Sequence, residues 1–250
     1  MRVLAINGSP REGHTAALLE EMDGRVRARG HHMETIRLAE LDIEDCQACM
    51  SCKEGEPCPL EDDLAPLLDR IDETDLLVLA SPVYMGAETG PMKCFLDRLY
   101  RFLVPSEGDR IYDSALSQGK KALAFFPCAN PRGHRDYAAL EERYEDVLGL
   151  LGLQEVHSCV ISGTAEMEDI RDCCQSRNLM GLLEDMMGEE DPVPLPRMDL
   201  PEGERYPQED GEDLLLAEED DPWETETPIS RTGREVYPQE DEEDALFDEG

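Results

Sequence analysis

Short apolar runs, separated by longer stretches of helical period, constrain this 250-residue chain more than any other feature. Leu76-Leu77-Val78-Leu79-Ala80 is apolar throughout, as expected of a central parallel strand covered on both faces. Ala122-Leu123-Ala124-Phe125-Phe126 is a second central strand, and residues 2–6, 33–38 and 155–161 supply three more. Between them, residues 15–29 fit a helix with Ala16, Leu18, Leu19, Met22 and Val26 facing inward. Asp62 and Asp63 are placed to cap a helix carrying Leu64, Leu67, Leu68 and Ile71. Residues 90–103, 137–151 and 168–187 read as three further helices. Five strands alternating with helices predict an open, doubly wound α/β sheet with right-handed crossovers. The pattern does not specify the strand order.

Beyond about Gly188 the character changes. Residues 189–250 are dense in Asp, Glu and Pro, and they hold more than half of the chain's formal charge of −36. Such a composition buries too little apolar surface to offset the entropy of ordering, so the expectation is a domain over 1–188 followed by a disordered acidic tail. The tail repeats Tyr206-Pro207-Gln208-Glu209-Asp210 as Tyr237-Pro238-Gln239-Glu240-Asp241, and it contains the only tryptophan, Trp223. A docking tail with two equivalent anchors is the alternative to simple solvation. So acidic a surface repels nucleic acid and anionic lipid, and excludes both as partners. The first residues form too short an apolar run for a signal peptide, and no run approaches the roughly 20 apolar residues of a membrane helix. Nine cysteines, four of them crowded together, argue against a secreted disulfide framework. The expected address is cytoplasmic.

The crowded four are Cys46, Cys49, Cys52 and Cys58, within a loop at 45–59 and followed by Pro59. Cubane iron–sulfur centres are commonly held by such a C-x2-C-x2-C run with a later cysteine. Structural zinc more often uses two separated pairs, and four unmetallated thiols are the plainest alternative. Cys94 and Cys159 fall within apolar patterns and read as buried, inert thiols, and Cys128 as a small packing residue. Cys173 and Cys174 are adjacent in the last predicted helix, a geometry that disfavours a disulfide. Lys93, Asp97 and Arg98 are placed to pair across a helix face or a subunit boundary, and a solvated helix face is the plainer reading.

A second candidate site lies in Gly8-Ser9-Pro10-Arg11-Glu12-Gly13-His14-Thr15, between the first strand and the first helix. Backbone N–H groups and the dipole at a helix N-terminus favour an anion. Ser9 and Thr15 add hydroxyls, and Arg11 adds positive charge. His14 stands where a nucleotide P-loop requires Lys, and the dinucleotide pattern G-x-G-x-x-G is absent. A mononucleotide with one terminal phosphate fits better. Ligands of open sheets lie beyond the carboxyl ends of the strands, at the switch point between the first and third. The third strand ends there in Ser81-Pro82-Val83-Tyr84-Met85-Gly86, where Tyr84 is suited to lie against a flat ring.

Gly8-Ser9-Pro10-Arg11 with Thr15-Ala16, Ser81 to Gly86, and Met92-Lys93-Cys94-Phe95-Leu96-Asp97-Arg98 resemble the NADPH-dependent FMN reductase group of the flavodoxin-like superfamily. With the cysteine run added, the first 185 or so residues resemble the iron–sulfur flavoproteins of that group. The resemblance implies a flavodoxin-like five-stranded parallel sheet, non-covalent FMN, and a 4Fe-4S cluster on Cys46, Cys49, Cys52 and Cys58. It also implies NAD(P)H as electron donor and assembly into homodimers or homotetramers. Ser9, Arg11, His14, Thr15 and Ala16 would hold the FMN phosphate, and Pro82, Val83, Tyr84, Met85 and Gly86 would line its ribityl chain and ring. His14 departs from the Asn or small polar residue usual there, and residues 127–133 lack the Gly-rich form expected of a third flavin loop. The expected function is electron transfer that couples a two-electron donor to a one-electron carrier of the ferredoxin type. A cluster-free NAD(P)H-dependent FMN or quinone reductase is the alternative. No side chain is assigned a catalytic role.

Overall fold

The computed structural model of the chain describes residues 1–106, 108, 111–131, 133 and 137–188. The acidic segment 189–250, with its repeat and Trp223, lies outside the described residues, as do Arg132 and His134.

Five parallel strands form the sheet: β1 (Arg2–Asn7), β2 (His32–Arg37), β3 (Leu76–Ala80), β6 (Lys121–Cys128) and β7 (Glu155–Ser162). Their order is β2-β1-β3-β6-β7, so the chain reverses direction across the sheet between β1 and β3. This is the flavodoxin-like arrangement, whose switch point opens a crevice at the carboxyl ends of those two strands. β1 and β3 pair from Val3↔Leu76 to Asn7↔Ala80, so their carboxyl ends stand level. All five residues of β3 are buried, as its unbroken apolar run requires.

Helices cover both faces. α1 (His14–Ala28) and α5 (Cys174–Met187) pack on one face, where Leu18, Leu19, Met22, Val26, Leu179, Met180 and Leu183 meet Val3, Ala5, Val78 and Phe125. α2 (Leu64–Asp69), α3 (Gly90–Arg98) and α4 (Ala138–Leu150) cover the other, with Phe95, Leu68 and Tyr144 against Ile6, Leu79 and Phe126. The alternation along each strand therefore divides the core into two layers.

Two predicted helices and one predicted cap differ from the structure. The helix expected over 90–103 ends at Arg98; Leu99–Phe102 tighten into a 3-10 turn that leads into a small antiparallel hairpin of β4 (Leu103–Pro105) and β5 (Tyr112–Ser114). The helix expected from 168 starts at Cys174, because the Asp169 carboxylate takes the Arg171 N–H and holds a local turn. Cys173 accordingly sits outside the helix and caps it, its sulfur accepting the Ser176 N–H. The cap at α2 comes from Asp62 rather than Asp63: an Asp62 oxygen accepts the Ala65 N–H at 3.1 Å. Among the described residues no helix is long and apolar enough to cross a membrane.

Candidate functional site

The loops after β1 and β3 meet at the switch point. The Gly8 N–H donates to the Ala80 carbonyl at 2.8 Å, which continues the β1–β3 ladder one residue past β1. The Thr89 hydroxyl, at the N-terminus of α3, then donates to the Gly8 carbonyl at 2.7 Å. Ser81 closes the network by accepting the Thr89 N–H at 3.0 Å. Gly8 is required by this close approach: a Cβ there would stand 2.9 Å from Met92 Cβ and 3.0 Å from the Thr89 hydroxyl. Thr89 is also the N-cap of α3. Thr89→Val is therefore expected to lower stability by about 1–2 kcal/mol. A thermal melt coinciding with the parent's would show that the clasp contributes nothing.

The first of these loops is shaped for an anion. Ser9 and Thr15 are buried, His14 and Ala16 are half-buried, and Arg11 is exposed. The Ser9 hydroxyl donates to the Arg11 carbonyl at 2.8 Å, so it fixes the curve of the loop instead of pointing outward. Gly13 opens α1 without a side-chain cap, and no acid occupies the first turn of that helix. The first-turn amides are thus left for a ligand, with the helix dipole behind them. Arg11 folds back over Gly13, which sets a cation beside the same amides.

The second loop ends in a tight reversal. Tyr84 and Ala87 exchange both backbone hydrogen bonds, at 2.8 and 3.0 Å, around Met85 and Gly86. Met85 and Gly86 both have positive φ, 52° and 88°, the signature of a type I′ turn. Glycine adopts that backbone freely, but methionine does so at a cost, and Met85 is 99% exposed at the tip. Tyr84 is exposed beside it, while Pro82, Val83 and Gly86 are half-buried. Tyr84 is therefore not the packed residue of a strand end. The Val83 N–H bonds to the Pro127 carbonyl, which brings the end of β6 to the crevice. The expected third loop is shorter than read, because Pro127 and Cys128 still belong to β6; Cys128 is buried.

Cys46, Cys49, Cys52 and Cys58 all line one pocket, shared with Met50, Leu60, Leu68, Arg98, Tyr100 and Arg101. All four are free thiols, as are the chain's other five cysteines. Among the described residues no three His, Cys, Asp or Glu side chains stand close enough to hold a single metal ion. A cubane cluster takes one thiolate per iron, so its four sulfurs encircle a volume instead of meeting at one atom. The lining is mixed: Arg98 and Arg101 oppose the charge of thiolates, Asp97 adds to it, and Leu60 and Leu68 exclude water. The Ser51 hydroxyl, with its amide, holds the Cys49 thiol below its ordinary value.

The cysteine loop is held down at several points. Lys53 donates to the carbonyls of Tyr100 and Leu103, and its ammonium lies 3.7 Å from the centre of the Tyr100 ring. Burial pushes the Lys53 ammonium below its ordinary value, against the opposing influence of Cys52, Tyr112 and Cys46. Cys94 bonds Asp45. Burial, then the Asp45 carboxylate, pushes the Cys94 thiol up to about 11. Cys159 is pushed up to about 12 by burial. Both thiols are half-buried rather than buried as read from the sequence.

Arg98 overturns its reading as part of a solvated face. Its side chain is 2% exposed and pairs with Asp62, itself 3% exposed. Lys93 and Asp97 do form an exposed pair one turn apart on α3. No sequence signal marked Arg98, because its partners are remote in the chain.

The NADPH-dependent FMN reductase family profile matches residues 1–166, about two thirds of the chain. The chain belongs to the NADPH-dependent FMN reductase family. Relatives of this FMN reductase family member include an iron-sulfur flavoprotein of Archaeoglobus fulgidus, 39% identical over 98 residues, which cover 39% of this chain and 48% of that protein. An iron-sulfur flavoprotein of Methanocaldococcus jannaschii is 38% identical over 99 residues, 39% of this chain and 51% of that protein. The chain thus spans about half the length of the curated relatives it matches. In fold, this family member is similar to the NAD(P)H:quinone oxidoreductase of Methanothermobacter marburgensis, with a TM-score of 0.59 at 18% identity, over 76% of this chain and 99% of that one. An FMN-dependent NADH-azoreductase of Bacillus anthracis in complex with FMN gives a TM-score of 0.56 at 15% identity, over 73% and 98% of the two chains.

Proposed function

We propose that this chain is an FMN-dependent oxidoreductase of the iron–sulfur flavoprotein type, reduced by NAD(P)H and passing electrons on to a ferredoxin-type carrier. The observation that carries the reading is that all four clustered cysteines line one pocket, on the same helix whose N-terminus clasps the phosphate loop. When bound, FMN exchanges one or two electrons and a 4Fe-4S cluster one at a time, so the pair couples two-electron to one-electron carriers.

The chain's own residues bind and orient. The uncapped first turn of α1, with Arg11, His14, Thr15 and Ala16, would take the FMN phosphate, and Ser9 would shape the loop around it. Pro82, Val83, Tyr84, Met85 and Gly86 would line the ribityl chain and ring, and the exposed Tyr84 and Met85 would be covered on binding. Cys46, Cys49, Cys52 and Cys58 would each ligate one iron. α3 spans the two sites, from Thr89 at one end to Asp97 and Arg98 at the other, about 13 Å along its axis. Assembly as a homodimer or homotetramer and a cytoplasmic address belong to the same proposal. Nine free thiols accord with a reducing compartment.

Protein purified without oxygen is expected to be brown-yellow, to release FMN, and to carry about four iron and four sulfide per chain. Dithionite should bleach the flavin and thiolate-to-iron bands of the visible spectrum. A colourless protein with no releasable FMN would overturn the reading. FMN without iron would establish the second reading, a cluster-free NAD(P)H-dependent FMN or quinone reductase. That reading draws on the match of residues 1–166 to the NADPH-dependent FMN reductase family.

A further inference from the structure

We propose that Arg98 is the positioning residue of the four-cysteine site: from α3 it ties the two ends of the cysteine loop together and so fixes the spacing of the sulfurs before any metal arrives. This rests on the reading that the four thiols hold a cluster.

The geometry is a latch. The Arg98 guanidinium donates to both oxygens of Asp62, at 2.7 and 3.1 Å, and to the Glu44 carbonyl at 3.1 Å. Asp62 in turn accepts the Glu44 N–H at 2.9 Å. Glu44 lies two residues before Cys46, and Asp62 lies four after Cys58. One buried ion pair therefore grips both the entry and the exit of the loop that carries all four thiols. A second rung supports it: the Asp42 N–H donates to the Asp63 carboxylate at 2.8 Å, and the Asp63 N–H to the Asp42 carbonyl at 3.1 Å. Arg98 also lines the cysteine pocket, so the same side chain presents positive charge to the thiolates it spaces.

A simple packing role does not explain this arrangement. Burying a guanidinium and a carboxylate costs desolvation that an apolar pair would avoid, and a buried pair is weak evidence for stability. What the ionic pair supplies is directional: a planar fork that reads a carboxylate and a carbonyl at fixed angles. Lysine would keep the charge but lose the fork. Side chains that hold metal ligands in place commonly change metal affinity 10–100-fold when replaced.

The test compares the parent, Arg98→Lys, and a double variant, Arg98→Met with Asp62→Asn. The double variant leaves no unpaired buried charge, and its carboxamide oxygen keeps an acceptor for one of the two amides, Glu44 or Ala65, that separate Asp62 oxygens take in the parent, so it is the version expected to fold. FMN content and the thermal melt check that it does. Two quantities are then read: hydrogen exchange of the amides from Asp42 to Asp63 in metal-free protein, and the iron concentration that half-reconstitutes it in the presence of sulfide, followed by the thiolate-to-iron bands. The double variant is expected to exchange the loop amides faster and to need about 10–100-fold more iron, with FMN binding intact. Arg98→Lys should fall between it and the parent. Unchanged exchange over the loop, or an unchanged iron requirement, overturns the proposal. If the parent takes up no iron and sulfide, the cluster reading fails, and the exchange measurement alone decides whether Arg98 latches the loop.

Discussion

Cys58→Ser is expected to abolish the metal content of the protein while leaving FMN bound. Iron and sulfide should fall from about four of each per chain to little or none, with the thiolate-to-iron absorption lost and the flavin bands retained. A single substitution has so large an effect because a cubane with three ligands leaves one iron open to water. The sulfurs of Cys46, Cys49 and Cys52 share the pocket but supply only three of the four thiolates. Cys94→Ser is the matched control. Cys94 lies on α3 in the same region, yet it bonds Asp45, and burial with that carboxylate holds it protonated. A thiol held in that form is a poor ligand, so its loss should leave iron and sulfide at the parent level. Equal metal content in the Cys58 and Cys94 variants would refute the assignment of the four ligands.

That contrast could be drawn from sequence only for the four crowded cysteines, whose spacing is a local signal. The same distinction holds for the fold. β3 was legible because five successive apolar residues admit few environments other than a strand buried on both sides. The tight loop after β1 was legible because glycine, serine and threonine cluster between a strand and a helix. What escaped depends on partners far along the chain. The β4–β5 hairpin has three residues per strand, too few for a periodic pattern to emerge above its polar surroundings. Arg98 follows an ordinary helical run and carries no neighbour that predicts burial; its partners Glu44 and Asp62 precede it by 54 and 36 residues. The late start of α5 reflects a carboxylate competing for the backbone, a contest between Asp169 and the helix that composition leaves undecided. In each case the missing information is a specific hydrogen bond rather than a preference of the segment.

Arg98→Met alone should be far more damaging than the double variant, and the difference tests whether the latch is ionic. Removing the guanidinium leaves the Asp62 carboxylate enclosed without its counter-charge, at a cost of about 3–5 kcal/mol. For a domain of this size that is a fall in melting temperature on the order of 10 °C. Neutralising Asp62 as well should recover most of the loss, because no uncompensated charge then remains buried. The pH dependence carries the same signature. Burial by itself pushes the Asp62 carboxyl up, but the Arg98 fork and the amides of Glu44 and Ala65 outweigh it and hold the group below its ordinary value. A carboxyl depressed in the folded state contributes stability that is present above its unfolded pKa and is lost as the pH falls through the folded one. In the parent this contribution should fade below about pH 4. In Arg98→Met the dominant attraction is gone and burial governs, so the carboxyl rises and acid should stabilise this variant relative to neutral pH. Melting curves of the parent and both variants between neutral and acid pH measure the difference directly. Parallel curves for all three would mean that the pair holds no charge-dependent stability, and that the loop is fastened by its backbone bonds alone.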